Sequence, residues 1–294
     1  MIRWFAVVNP AAGSRRLRVS RLKEVTDGLG LDVTFSVSST SPEAVAAVSH
    51  AVEQGFTHFV SVGGDGTAHL LINALMPAQG AQRFTVAVIA AGSGSDLMRT
   101  FGHSKGIEEG FERLIEPDRY AIDVGVMVLK ERSCYFLNAA NVGVAAASAA
   151  VAARLPRFLG GLRYMIAFWL ALARYRSSEL TVVVGRHQFG GKAINVVVAN
   201  GQFFGGGMNI APRASMADGL YDVQVFSGPK RQAFTVMPRV LRGSHLTHRA
   251  VQRYVGSEVV ISSKVDLLVE ADGELIGRGG ATISLLPRAI DLVI

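Results

Sequence analysis

Apolar and polar positions follow two patterns along the chain, and the first extends to about Asp123. Short runs of β-branched and aromatic residues alternate there with longer stretches of helical periodicity. RWFAVVN, LDVTFSV, THFVSV and FTVAVIA predict strands, and RRLRVSRLKEVTDGL, SPEAVAAVSHAVEQG and TAHLLINALM predict helices. A repeated β-α-β pattern is typical of a parallel sheet covered by helices. We therefore expect an α/β N-terminal domain with a parallel sheet.

After about Asp123 the pattern becomes mostly strand-like. Short apolar or alternating runs separated by turn residues include LTVVVG, AINVVVAN, YDVQVF, VVISS, VDLLVE and ATISLL. Such runs indicate a second, β-rich domain. We place the α/β domain at residues 1–125 and the β-rich domain at residues 126–294, with the extreme C-terminus a candidate to return to the first domain.

One helical stretch in the β-rich part, GGLRYMIAFWLALARY, has two explanations of equal weight. It is a core helix with one apolar face, or a helix that faces a membrane or the acyl chain of a ligand. The most apolar windows of the chain are too short or too rich in alanine to span a bilayer. The N-terminus MIRWFAVVNP lacks the features of a signal peptide. We expect a cytoplasmic protein that is soluble or peripheral to a membrane.

Composition and charge narrow the class of partner. The 294 residues are 49% hydrophobic and 18% charged, which is typical of globular domains. The net charge of +7 favours anionic partners such as nucleic acid, acidic lipid head groups or phosphorylated substrates. The basic residues are scattered, which argues against a nucleic-acid-binding tail. The single cysteine, Cys134, permits no internal disulfide and fits a reducing compartment.

Glycine-rich segments follow three of the predicted strands. VVNPAAGS, SVGGDGT and IAAGSGSD all fall at the carboxyl ends of strands, where parallel sheets gather their ligands. In SVGGDGT the glycines place free backbone N–H groups before a helix, which can receive phosphate, and Thr67 can cap the helix. Asp65 beside a phosphate requires a divalent cation between them. The alternative is a plain Asp-Gly turn.

Other acidic residues also lie near glycine. Gly92, Ser93 and Asp96 repeat the theme after the next strand, in AAGSGSD. In the C-terminal half, Asp272 and Glu274 put two carboxylates on a predicted turn, which suits acid–base chemistry or a metal. Each position taken singly also fits an ordinary turn.

Taken in order, these segments resemble the diacylglycerol kinase catalytic family, which includes bacterial soluble lipid kinases and the sphingosine and ceramide kinases. NPAAGS, GGDGT, GSGSD, FLNAANVG, FGGGMNIAP, DGLYDV and DGE carry the resemblance over nearly the whole chain. GGDGT is shared with the related NAD kinases and 6-phosphofructokinases, whereas the long block from GGGMNIAP to DGLYDV points to lipid kinases. The resemblance implies an NAD kinase/diacylglycerol kinase-like α/β nucleotide domain, a C-terminal β-sandwich and an active cleft between them.

The resemblance assigns ATP contacts to the N-terminal half. The GGDGT loop holds ATP phosphates in this family. Ser38 is the nearest match to a nucleotide contact after the second strand, and Ser93 stands where the family has the threonine of its GTxND segment. The implied ATP-binding residues are Asn9, Ser38, Gly63, Gly64, Asp65, Gly66, Thr67, Gly92, Ser93 and Asp96.

The resemblance also implies catalytic and metal-binding roles. The family's proton acceptor is the acid of DGE, which corresponds to Glu274, with Asp272 beside it. Asp65 joins them through a catalytic magnesium ion. The positions that correspond to the ligands of the family's structural magnesium ion are Ser215, Asp218 and Leu220. The positions that correspond to the acidic network around its catalytic magnesium ion are Asp65, Asp96 and Asp123.

Four positions depart from the family's usual residues. His69 and Leu70 follow GGDGT where asparagine and glutamate are usual. Ser95 replaces the asparagine of GTxND, and Ala145 stands where the GFDA segment has its acid. These changes concern the polar network on the substrate side and leave the phosphate loop and the DGE carboxylates intact.

The resemblance implies an ATP- and Mg²⁺-dependent kinase that phosphorylates the hydroxyl of a lipid, diacylglycerol or a similar one. Its partners would be ATP and a lipid presented at an anionic membrane surface, with no nucleic acid, and a homodimer is a candidate assembly. The alternatives are a kinase of a soluble nucleotide or sugar and a non-catalytic homologue that binds nucleotide or lipid.

Overall fold

The chain divides into two compact units. The N-terminal unit comprises residues 1–122 and 288–294, and the C-terminal unit comprises residues 123–287. A computed structural model describes residues 2–10, 12, 17–38, 40–80, 83–91, 95–103, 106–130, 132–156, 159 and 162–294.

Strands and helices cover most of the described residues. The strands are β1 Arg3–Val8, β2 Asp32–Val37, β3 His58–Gly63, β4 Thr85–Ala90, β5 Arg119–Val128, β6 Ser133–Phe136, β7 Ala139–Gly143, β8 Ser178–Val184, β9 His187–Ala199, β10 Phe203–Phe204, β11 Met208–Asn209, β12 Tyr221–Ser227, β13 Val251–Gly256, β14 Glu258–Ser263, β15 Leu268–Ala271, β16 Glu274–Arg278 and β17 Ala281–Val293. The helices are α1 Val19–Gly28, α2 Ser41–Glu53, α3 Asp65–Leu75, α4 Asp96–Thr100, α5 Ile107–Glu112, α6 Val144–Ala152, α7 Leu162–Arg174 and α8 Ala233–Leu241. Short 3-10 helices span Met76–Ala78, Lys230–Gln232 and His245–Thr247.

The N-terminal unit is built on a parallel sheet. Its strands lie in the order β2–β1–β3–β4, and the end of β17 joins β4 in parallel. Val8 pairs with Val37 of β2 and with Val62 of β3, and Gly63 pairs with Ala90. The four strands β1–β4 therefore end level with one another, and the predicted α/β domain with a parallel sheet is confirmed.

Helix α3 follows β3 directly and is held by its apolar face. Ala68, Leu71, Ile72 and Leu75 recur at helical spacing, and all four are buried. Burial of an apolar side chain of this size stabilises by roughly 1.5–3 kcal/mol. The N-terminus of α3 is thereby fixed at the end of β3.

The C-terminal unit is antiparallel. Its strands follow the order β16–β15–β7–β9–β8–β14–β17, and β12 lies between β9 and β13. One core contains the stacked rings of Phe136 and Tyr221, whose centroids are 5.8 Å apart. A second core lies between strand β9 and the helices α6, α7 and α8. Both faces of this part of the sheet are therefore covered.

The chain leaves the N-terminal unit within β5 and re-enters it within β17. Residues 291–292 of β17 pair with Thr85 and Val86 of β4, while residues 281–284 pair with β14. In the described ranges, we find no helix with the length and apolarity that a membrane span requires.

Candidate functional site

The level ends of β1 to β4 bring the predicted ATP-binding segments of the N-terminal unit together. The N–H of Asn9 donates to the carbonyl of Val62 at 3.1 Å, and the N–H of Ala91 donates to Gly63 at 2.9 Å. Ser38 follows β2, and its N–H lies 3.5 Å from the carbonyl of Val8. We call the residues Asn9, Ser38, Gly64–Thr67 and Ser95–Asp96 the strand-end edge.

The two glycines at the start of α3 have different roles. A Cβ at Gly63 would overlap the side chain of Thr67, which folds back over it. A Cβ at Gly64 would meet no atom within 4 Å. Thr67 is buried, and its hydroxyl oxygen lies 3.5 Å from the side-chain amide of Asn9. The side chain of Thr67 thus fills the space next to Gly63, whereas the space next to Gly64 is open. An anion could approach the N-terminus of α3 through that open space.

Asp65 connects the GGDGT segment to the next one. Its Oδ2 accepts the backbone N–H of Asp96 at 3.1 Å. Ser95 caps α4, because its hydroxyl oxygen accepts the N–H of Met98 at 3.3 Å. The serine at this departure from the family pattern therefore has a capping role. Gly92 and Ser93, which the sequence also assigns to ATP, lie outside the described residues.

The strand-end edge offers oxygen ligands that suit a magnesium ion. Asp65 is half-buried and Asp96 is 4% exposed, and the hydrogen bond above joins the Asp65 carboxylate to the backbone of Asp96. The Asp96 carboxylate itself lies 3.8 Å from the guanidinium of Arg99. Across the residues that are described, no group of three His, Cys, Asp or Glu side chains could hold a metal. Mg²⁺ is commonly held by one or two carboxylates together with substrate phosphates. The pair Asp65 and Asp96 fits that mode.

In the C-terminal unit, Asp272 holds the turn between β15 and β16. Its carboxylate accepts the N–H groups of Leu137 at 2.9 Å, Asn138 at 2.8 Å and Ala139 at 3.2 Å. The N–H of Asp272 donates to the carbonyl of Ala139 at 2.9 Å. Asp272 and Gly273 have φ angles of 50° and 87°, as a two-residue hairpin of Asp-Gly requires. Asp272 is therefore a positioning residue of this turn.

Two glutamates flank this turn in opposite environments. We call residues 270–274 the Asp272 turn. Glu270 is fully buried, and its carboxylate accepts the N–H of Gly273 at 2.7 Å and the side-chain amide of Asn141. Burial outweighs these two hydrogen bonds and raises the pKa of Glu270 to about 8. Glu274 is exposed, and its side chain makes no hydrogen bond or ion pair with the described residues. Of these two glutamates, Glu274 is the one whose carboxylate is accessible to a ligand.

A buried polar network continues from Glu270 to the start of α6. Asn195 of β9 donates to the side-chain oxygen of Asn141 at 3.2 Å. The side-chain oxygen of Asn195 accepts the N–H of Ala145 at 2.9 Å, so it caps α6 from a neighbouring strand. At Ala145, where the family has an acid, the backbone alone enters this network.

The residues assigned to a structural magnesium lie on one turn. Asp218 is exposed, and its Oδ1 accepts the N–H of Leu220 at 3.0 Å. Asp123 is fully buried and accepts the N–H of Gly219 at 2.8 Å. Asp123 thus braces the turn that carries Ser215, Asp218 and Leu220. The exposed carboxylate of Asp218 is an oxygen ligand of the kind that Mg²⁺ prefers.

Helix α3 explains the two departures that follow GGDGT. His69 is 9% exposed, and the side-chain amide of Asn73 donates to its carbonyl at 2.8 Å. Leu70 is half-buried on the same helix. Both side chains are accommodated within the N-terminal unit.

Comparison with protein families covers almost the whole chain. Residues 3–127 match the model of the diacylglycerol kinase catalytic domain. Residues 138–294 match the model of the YegS C-terminal NAD kinase β-sandwich-like domain. The chain belongs to the diacylglycerol kinase family. This assignment confirms the predicted architecture of a nucleotide domain followed by a β-sandwich, and the family is one of phosphotransferases that act on a lipid alcohol.

Individual relatives of this diacylglycerol kinase family member are distant. The chain is 24% identical over 292 residues to a diacylglycerol kinase of Bacillus subtilis, which covers 98% of the chain and 94% of the relative. It is 25% identical over 267 residues to a Shewanella frigidimarina protein named "Probable lipid kinase YegS-like", with 90% and 85% covered. A solved structure of a diacylglycerol kinase from Bacillus anthracis shares the fold, with a TM-score of 0.74, 17% identity and coverage of 99% and 96%.

The sequence reasoning missed the polar network beneath the Asp272 turn in this family member. Glu270, Asn141 and Asn195 lie in mostly apolar strand segments, LLVEA, AANVG and AINVVV. A polar residue inside an otherwise apolar run was the available signal, because a buried polar group needs a hydrogen-bond partner. Which residues are partners depends on strand order, which the sequence does not give.

Proposed function

We propose that this protein is an ATP- and Mg²⁺-dependent lipid kinase that transfers the γ-phosphoryl group of ATP to the hydroxyl of a membrane lipid, diacylglycerol or a similar one. The family assignment supports the reaction class. The observation that carries the proposal is the strand-end edge, where an open backbone at Gly64 directly precedes Asp65, whose carboxylate accepts the backbone N–H of Asp96.

The strand-end edge is proposed to bind ATP through its backbone. The N–H groups at the N-terminus of α3 receive phosphate oxygens, and the helix dipole favours their negative charge. Asn9 and Ser38, at the ends of β1 and β2, and Gly92 and Ser93, in the segment after β4, complete the proposed nucleotide contacts. Positioning and charge neutralisation, rather than covalent chemistry, are the main demands of phosphoryl transfer.

Magnesium is proposed at two places. Asp65 and Asp96 would hold the catalytic ion, which supplies charge neutralisation at the ATP phosphates. The Asp218 side chain and the carbonyls of Ser215 and Leu220 would hold a structural ion on the turn that Asp123 braces. In both places a carboxylate is supported by a backbone hydrogen bond.

Glu274 is proposed as the proton acceptor. The lipid hydroxyl oxygen forms a bond to the γ-phosphorus, the bond from that phosphorus to the ADP oxygen breaks in line, and the hydroxyl proton passes to the Glu274 carboxylate. Asp272 does not take the proton in this proposal, because its carboxylate already accepts three backbone N–H groups. It fixes the turn from which Glu274 projects.

Transfer of labelled γ-phosphate from ATP to a total lipid extract tests this function. We expect one labelled lipid product, whose identification names the acceptor. Glu274→Gln should lower kcat by roughly 10²–10⁴-fold, because it removes a general base. Its affinity for ATP should stay unchanged, since the proposed ATP contacts lie in the N-terminal unit.

Two controls make the test specific. Glu258→Gln changes another exposed glutamate of the C-terminal unit and should leave kcat unchanged. Asp65→Ala should lose both turnover and Mg²⁺-dependent ATP binding, whereas Asp27→Ala, an exposed aspartate of α1, should lose neither. Transfer to soluble nucleotides or sugars but to no lipid would refute the lipid substrate. Full turnover by Glu274→Gln would refute its role.

A further inference from the structure

Helix α7 packs one face against the core of the C-terminal unit and exposes two leucines. Ala167, Ala171 and Leu172 are its buried residues. Leu162 is 60% exposed and Leu170 is 41% exposed. Met165, Phe168 and Trp169 are half-buried and pack against the same core. The two leucines leave apolar area of α7 exposed to solvent, and a partner surface could cover it.

Helix α8 extends the same apolar surface. Phe234 is 68% exposed, and Leu241, two turns along the helix, is 49% exposed. The ring of Phe234 stacks on the half-buried ring of Trp169, with centroids 4.7 Å apart and an interplanar angle of 23°. This contact joins α7 to α8. We call the residues Leu162, Trp169, Leu170, Phe234 and Leu241 the α7–α8 face.

The chain segments that form this face carry a one-sided charge. Residues 162–174 and 230–242, which contain α7, α8 and the 3-10 helix before α8, include six Lys and Arg residues and no Asp or Glu. The rest of the chain has 24 Lys and Arg residues against 23 Asp and Glu residues, so most of the net charge of +7 lies in these two segments. A field of one sign beside an apolar surface favours an anionic partner.

Several of these cations are available for binding. Arg174, Arg231, Arg239 and Arg242 are exposed, and the described part of the chain provides no ion-pair partner for them. Lys230 instead braces the end of α7, where its ammonium group donates to the carbonyl of Ala173 at 3.1 Å. Aromatic and aliphatic side chains next to arginines are typical of helices that lie in a membrane interface.

We propose that the α7–α8 face docks on the surface of an anionic lipid bilayer, with Phe234 and Trp169 in the interface and the arginines on acidic head groups. The inference rests on the proposed function, which requires the protein to reach a lipid substrate. A second copy of this chain fits less well, because a symmetric interface would bring the same unpaired arginines face to face. An anionic bilayer satisfies both the apolar area and the charge.

Sedimentation with vesicles of phosphatidylcholine alone and of equal amounts of phosphatidylcholine and phosphatidylglycerol tests the proposal. The full-length protein should sediment with the anionic vesicles and be released by salt. Phe234→Asp should weaken this binding roughly tenfold or more, because a largely exposed aromatic ring would no longer enter the interface. Arg231→Ala combined with Arg242→Ala should weaken binding to anionic vesicles only.

Tryptophan fluorescence gives a second readout. The chain has two tryptophans, and Trp4 is fully buried in the N-terminal unit. A blue shift on adding anionic vesicles therefore reports Trp169. Val265→Asp is the matched control, because Val265 is 52% exposed in the same unit but lies outside the α7–α8 face, and it should bind vesicles as the unchanged protein does.

The outcomes separate this inference from the proposed function. Phe234→Asp should still phosphorylate a short-chain, water-dispersed diacylglycerol, so loss of that activity would show that the face is part of the substrate site and overturn the docking role. The docking role would also be overturned if Phe234→Asp bound vesicles as well as the unchanged protein does. It would likewise be overturned if Phe234→Asp dissociated a dimer of this protein and left vesicle binding unaffected. Vesicle binding without any lipid phosphorylation would refute only the kinase function.

Discussion

The strand-end edge of the N-terminal unit and the Asp272 turn of the C-terminal unit are held in different ways. The edge is positioned mainly by backbone pairing, since Asn9 and Ala91 continue the register of a parallel sheet. The turn is positioned by side chains, with Asp272 and Glu270 accepting backbone N–H groups from below. A site positioned by backbone pairing should keep its geometry when a side chain is substituted, whereas a site positioned by side-chain hydrogen bonds should lose it.

The difference has a physical reason in each case. A phosphate needs close approach to backbone N–H groups, which glycine permits and side chains obstruct. A proton acceptor needs one side chain in a defined place, and a two-residue hairpin at an exposed position provides little restraint by itself. The half-buried carboxylate of Asp272 and the buried carboxyl group of Glu270 supply that restraint.

The largest effect should come from Asp272→Ala. It leaves three backbone N–H groups without their charged acceptor, and it replaces aspartate, which tolerates the left-handed φ of 50°, by alanine, which tolerates it less well. We expect the free energy of unfolding to fall by roughly 3 kcal/mol or more. Urea denaturation measures it. Asp272→Asn, which retains one oxygen, should lose about half as much, and the exposed Asp266→Ala should lose almost nothing. Equal stability of Asp272→Ala and Asp266→Ala would contradict the side-chain-built turn.

Glu270→Gln should change how stability depends on pH. An unfolded glutamate ionises near the ordinary value of 4.5, whereas Glu270 in the folded chain remains protonated to about pH 8. The folded state therefore binds more protons in this window, and the free energy of unfolding falls as pH rises from 4.5 to about 8, by roughly 1 kcal/mol per pH unit. Glu270→Gln should remove this slope, as urea denaturation at a series of pH values would show. Parallel pH profiles for the two proteins would contradict burial of a neutral carboxyl group.

Two alanine substitutions at neighbouring glycines test the strand-end edge of the N-terminal unit. Gly63→Ala should lower the free energy of unfolding by roughly 1–3 kcal/mol, because its Cβ overlaps Thr67. Gly64→Ala should leave stability almost unchanged, since the space is open and its φ of −109° suits alanine. The same change should weaken ATP binding, because the new methyl group occupies the approach to the backbone. Thermal unfolding measures the stability of the two variants, and titration with ATP measures their affinity for it. Unchanged ATP affinity in Gly64→Ala would contradict the proposed phosphate contact.

Strands β1–β4 and helices α1–α3 of the N-terminal unit could be predicted, because each of them has a clear period in the sequence. The glycine-rich segments could also be placed at one edge, since parallel strands with similar lengths end together. The structure brings Asn9, Ser38, Thr67 and Asp96 to that edge. Their contacts with ATP stay predictions.

The sequence by itself determined the parallel and β-rich halves, the glycine bends and the Asp-Gly turn, because these depend on neighbours within a few residues. Only the tertiary structure decided that Glu270 is buried while Glu274, four residues on in the same hairpin, is exposed. It also decided which face of α7 is turned outward. The burial and the pKa of a side chain depend on chain segments that are far apart in sequence. A local sequence pattern therefore identifies candidate site residues, and the packing of the folded chain determines which of them are exposed to a ligand.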